Sequence, residues 1–144
     1  MDKLNALDMF KFFLKNNPDT TVTYSSYKHA LSEFHKKAVQ MILCGKTFYM
    51  GHKLGLIRIK KVERNFDKPS INWGETNKLK AEGINKHVYF TDEYWYRWYW
   101  NKSRASLKNK SVYKFSPTEG SKGNKKKLVQ TIKMDQFAHL NFVQ

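Results

Sequence analysis

Between Arg97 and Lys127 the chain sets ten basic residues, Arg97, Lys102, Arg104, Lys108, Lys110, Lys114, Lys122, Lys125, Lys126 and Lys127, against a single acid, Glu119. Cations at that density neutralise phosphates and release condensed counterions without reading base edges. Three adjacent lysines, Lys125 to Lys127, cannot all share one helix face, so at least one is expected to point to solvent. Asn124 is placed to cap the helix they begin, and the free N–H groups of a helix start favour an anion. Nucleic-acid contact is therefore expected from Arg97, Lys102, Arg104, Lys108, Lys110, Lys122, Lys125, Lys126 and Lys127. The bland alternative is a solvated face that only confers solubility.

Overlapping the start of this segment is the run Tyr94-Trp95-Tyr96-Arg97-Trp98-Tyr99-Trp100. Aromatic rings can stack on unpaired bases. In a strand, however, Tyr94, Tyr96, Trp98 and Trp100 share one face, and Trp95, Arg97 and Tyr99 the other, as in an element covered on both sides. The expected role of Trp95, Trp98 and Trp100 is accordingly core or subunit-interface packing, where aromatics dominate the energetics.

Other chemistries find less to work with. Gly45-Lys46-Thr47 resembles the end of a phosphate-binding loop, but Gln40 stands where the first required glycine would be. His29 and His35 do not share a helix face, and His52, His87 and His139 lack partners at zinc spacing. Asp92-Glu93 is a carboxylate pair with no third ligand or general base nearby, a poor nuclease centre. No catalytic residue, metal or cofactor is expected, and the protein reads as a non-enzyme. Cys44, the single cysteine, rules out an internal disulfide and is expected to be a buried structural thiol of a protein folded in a reducing cytoplasm.

The elements that must position these residues are legible in outline. The chain has 144 residues, 40% of them hydrophobic and 15% aromatic, with a formal charge of +15 that is spread over both halves. This is enough apolar surface for one folded domain whose whole body is positive. Leu4, Leu7, Phe10, Phe13 and Leu14 predict a helix over 3–15. Ser25 or Ser26 caps a second, with Tyr27, Leu31, Phe34, Ala38, Met41 and Ile42 on one face and Gly45 at its end. Strands are predicted at 47–50 and 54–62, where Ile57 and Ile59 alternate with Arg58 and Lys60, leaving a basic polar face. A short helix over 75–82 follows. A hairpin is then expected between 87–90 and 94–100 around Thr91-Asp92-Glu93, with 111–115 as a further strand. A helix from Asn124, with Leu128, Val129, Ile132 and Met134 inward, and an amphipathic piece over 137–142 end the chain. The expected fold is α+β: two N-terminal helices, a mainly antiparallel sheet with a β-hairpin, and C-terminal helical segments. It forms one domain over 1–144, helical over 1–45 and strand-rich with a C-terminal helix over 46–144. No apolar run is long enough for a membrane span.

The stretch from Gly55 to Trp100, with Tyr113-Lys114-Phe115-Ser116-Pro117-Thr118 and Gly123-Asn124-Lys125-Lys126-Lys127-Leu128, resembles small basic proteins of crAss-like tailed bacteriophages of gut Bacteroides. Residues 1–45 take no part in the likeness, and no catalytic motif travels with it. The resemblance implies a virion protein, assembled in the host bacterial cytoplasm, near the portal and tail. There a ring or connector of like subunits would contact DNA irrespective of sequence and bind portal or tail proteins. A ring around DNA needs a positive lumen and subunit contacts together. The competing expectation is a DNA-binding regulator or genome-organising protein, which would need a base-reading element such as a helix-turn-helix. None is evident.

Overall fold

The computed structural model describes residues 5–51 and 53–143, so Leu4 and His52 lie outside the described residues. The chain divides into two compact units, Met1–Met41 and Ile42–Gln144.

The first unit is built from helix α1 (Ala6–Asn16) and most of helix α2 (Tyr24–Leu43). Asn5 caps α1 in a capping box: its side chain accepts from Leu7 and Asp8 N–H groups, while the Asp8 carboxylate accepts from the Asn5 N–H. Phe10 is buried, its ring 5.4 Å from that of Tyr24 and 5.2 Å from that of Tyr27, with Phe13 also 5.2 Å from Tyr27. These rings join the two helices. The α2 cap is Thr23, whose hydroxyl oxygen accepts from the Ser26 N–H at 3.2 Å. Ser25 and Ser26, the expected caps, lie inside the helix because Tyr24 is drawn into its first turn to pack on Phe10. Phe34, expected on the covered face, is exposed.

The second unit carries a three-stranded antiparallel sheet in the order β1 (Phe48–Tyr49), β2 (Leu56–Glu63), β3 (Tyr94–Asn101). This is the expected α+β class, with helices at both ends of the chain. The hairpin is nevertheless a different one. It joins β1 to β2 through Gly51 and Gly55, whose φ of +93° and +85° suit glycine. A Cβ on Gly55 would run into the Asn101 carbonyl, so the glycine lets the hairpin close against the end of β3. The strand β3 pairs with β2 over its whole length, from Leu56↔Asn101 to Glu63↔Tyr94.

The segment 87–90 therefore does not pair with β3, correcting the expected hairpin around Asp92-Glu93. It meets residues 70–72 instead, through an isolated bridge between Ile71 and Tyr89 and a 2.7 Å bond from the Asn72 N–H to the Val88 carbonyl. Helix α3 (Trp73–Ala81), capped by Asn72, fixes this arrangement. Its fully buried Thr76 accepts the Val88 N–H at 3.0 Å, an anchor that satisfies a buried hydroxyl.

The expected strand over 111–115 is also absent: these residues form turn and irregular backbone, with Val112, Tyr113 and Phe115 exposed. Helix α4 (Asn124–Met134) and a 3₁₀ turn (Ala138–Asn141) finish the chain. Ile59, Trp98, Leu128, Ala138 and Phe142 are core residues. Val129 and Met134 are exposed rather than inward, because only one narrow stripe of α4 meets the sheet. Cys44, expected to be buried, is exposed just beyond the end of α2.

Candidate nucleic-acid interface

The alternation along β3 separates two surfaces. On one, Trp98 is buried and its indole N–H donates to the Asn124 carbonyl at 3.0 Å, tying the strand to the first turn of α4. Tyr96 lies 5.5 Å from the Phe142 ring. Trp100 is half-buried and donates its indole N–H to the Leu54 carbonyl at 2.6 Å, which braces the hairpin loop. By register Ile57, Ile59 and Lys61 of β2 lie on this same surface.

The other surface of β3 carries Trp95, Arg97 and Tyr99. It is not covered as expected: Trp95 and Arg97 are exposed and Tyr99 is half-buried. Trp95 thus stands apart from Trp98 and Trp100. The Arg97 guanidinium lies 5.5 Å from the Trp95 ring centre and 5.7 Å from that of Tyr99. From β2, the Lys60 ammonium sits 5.2 Å from the Tyr99 ring centre. Cations near aromatic faces at such separations attract the ring quadrupole. Lys60 and Tyr99 were absent from the expected contact set. The signal for them was the two-residue period of Arg58 and Lys60 on one strand and of Trp95, Arg97 and Tyr99 on the other.

The lysines after β3 also divide. Lys102 is half-buried, and its ammonium donates to the carbonyls of Lys110 at 2.6 Å and Tyr113 at 2.7 Å. Lys110 donates in turn to the Ser103 carbonyl at 3.0 Å. These two fold the 103–113 loop around themselves, with Asn109 in the left-handed region at φ 52°. Arg104, Lys108, Lys122, Lys125, Lys126 and Lys127 are exposed. Lys125 pairs with Glu119, the one carboxylate of the segment, at 3.2 Å, with both side chains largely in solvent.

Helix α4 begins otherwise than expected. Gly123 is its N-cap and makes no side-chain cap bond, and Asn124 is the first helical residue. The Asn124 and Lys125 N–H groups are already taken by the Thr118 hydroxyl and carbonyl, at 2.9 Å and 3.1 Å, so these two donors are not free for a phosphate. Three lysines occupy the first turn and no acid does. That charge stands against the positive end of the helix dipole.

Carboxylates are dispersed. Among the described residues no group of three His, Cys, Asp or Glu side chains could hold a metal ion. Glu93 and Asp92 act on neighbouring phenols: the Glu93 charge pushes the Tyr94 hydroxyl pKa up, while burial, with a smaller contribution from Asp92, raises that of Tyr96. No described helix is long and apolar enough to cross a membrane. Comparison with family models, curated proteins and solved structures gave no match.

Proposed function

We propose that the protein is a non-enzymatic structural protein that holds DNA through phosphate contacts, independently of sequence. The observation that carries this reading is the start of α4: Lys125, Lys126 and Lys127 crowd a helix end that already repels cations, and Glu119, lying before the helix, pairs with Lys125 alone. Each such charge costs about 0.3–1 kcal/mol at an exposed helix end, a cost that a bound phosphate backbone reverses. Exposed Arg104, Lys108 and Lys122 extend the same potential, and the overall charge of +15 makes copies repel until a polyanion neutralises them.

The resemblance to crAss-like phage proteins makes a portal or tail connector in the virion the fitting setting for such contacts. Within the second unit, Leu140 at 69% and Met134 at 88% exposure are apolar side chains open to association with further copies or with other virion subunits. Fluorescence anisotropy with two labelled duplexes of unrelated sequence tests the reading. Equal affinities that fall together as salt rises are expected. A strong preference for one duplex that persists at high salt would replace it with a regulator, and metal-dependent nicking of plasmid by the pure protein would make it a nuclease.

A further inference from the structure

We infer that the surface of the sheet carrying Trp95, Arg97 and Tyr99, with Lys60 beside them, is a stacking platform for unpaired bases of single-stranded nucleic acid. This rests on the polyanion reading above but concerns a different surface from the exposed lysines that follow β3.

Two observations lead there. First, the register sets Lys60 directly opposite Arg97. Like charges facing each other across an antiparallel pair destabilise the sheet. Among the described residues of β2 and β3 no carboxylate lies on this surface, since Glu63 pairs with Tyr94 on the other. A bound anion would relieve the repulsion.

Second, the cations are interleaved with rings rather than clustered. Trp95 is 36% exposed, and Tyr99 is flanked by both Lys60 and Arg97. Trp95 and Tyr99 are four residues apart on one strand, which places them about 13 Å from each other along it. Charge selects a polyanion, and rings select one whose π-faces are available. A duplex keeps its bases stacked inside, and an acidic polypeptide has carboxylates but few rings. A single strand presents phosphates to Lys60 and Arg97 while its bases meet Trp95 and Tyr99.

The test uses the full chain and four fluorescent probes: an oligomer of about 20 thymidines, an abasic oligomer of equal length, a duplex of equal length and polyglutamate. The thymidine oligomer is expected to bind at least about fivefold more tightly than the abasic one, the gain of a single stacked base. Trp95→Ala should remove most of that margin and leave duplex affinity unchanged, Tyr99→Leu should reduce it by less, and Trp95→Phe should retain most of it. Circular dichroism of Trp95→Phe and Trp95→Ala guards against a folding artefact. Equal binding of thymidine and abasic oligomers, an undiminished margin in Trp95→Ala, or polyglutamate binding as tight as the thymidine oligomer would overturn the inference. Retained salt-sensitive duplex binding would then leave the proposed function standing, whereas loss of binding to every nucleic acid would remove both.

Discussion

Along β3, two tryptophans three residues apart meet opposite surroundings. Trp98 is buried against α4 and spends its indole N–H on the Asn124 carbonyl, whereas Trp95, three residues earlier, is exposed beside a guanidinium. Both are tryptophans of one strand, so aromatic content alone says nothing about role. What separates them is the company on each surface: apolar Ile59 opposite Trp98, and a Lys60–Arg97 pair of like charge beside Trp95. Rings bound to core partners stabilise the fold, while rings set among cations, on a surface of β2 and β3 without a carboxylate, suit the ligand inferred above.

The largest expected effect breaks the comparison at its buried side. Trp98→Ala should lower unfolding free energy by about 3–5 kcal/mol, through the lost ring and the cavity left behind. Trp95→Ala should cost clearly less than Trp98→Ala, since its ring is partly in solvent and no indole hydrogen bond to the core is lost. Chemical denaturation of both variants checks this, and equal losses would mean that the two surfaces are not distinct.

The same division among the lysines gives an intermediate effect. Lys102→Gln removes a donor from the Lys110 and Tyr113 carbonyls and should cost about 1–2 kcal/mol, with faster amide exchange in the 103–113 loop. Replacing Lys125, Lys126 and Lys127 together by Gln should instead leave stability unchanged or raise it by a few tenths of a kcal/mol, roughly as removal of cations from a helix N-terminus implies.

The smallest effect is alkaline. Burial raises the Tyr96 phenol in the folded chain, so the neutral form is favoured there. Its contribution is present below the ordinary tyrosine pKa of about 10 and is lost as pH rises through the folded value. Tyr96→Phe should therefore match wild type near neutrality and lose less stability above about pH 10, as urea midpoints across that range would show.

How much of this was legible in the sequence depended on the range of the interaction. The alternation of Ile57 and Ile59 with Arg58 and Lys60 marks β2 and its basic surface without any knowledge of the fold. The glycines at 45 and 83 mark helix ends, and both adopt left-handed φ. Pairing was not legible, because 87–90 is the strand-like run nearest to β3 and short loops favour neighbours. The distant β2 wins with eight matched positions, while Thr76 and Asn72 take 87–90 away. Of the contact set, the exposure of Arg104, Lys108 and Lys122 follows from their turn-rich context. The diversion of Lys102 and Lys110 does not, since their acceptors are loop carbonyls that no side-chain pattern announces. Nor could the sequence show that α4 meets the sheet along so narrow a stripe that Val129 stays exposed.

The central claim, DNA contact through exposed lysines, is tested most directly by the salt dependence of binding to a random-sequence duplex. A plot of log affinity against log salt concentration loses about 0.9 in slope for each phosphate contact removed. The wild-type chain should show a steep negative slope, and the variant with Gln at positions 125, 126 and 127 a slope shallower by about 2 to 3. Duplex binding that ignores salt, or a variant whose slope equals that of wild type, would contradict the account.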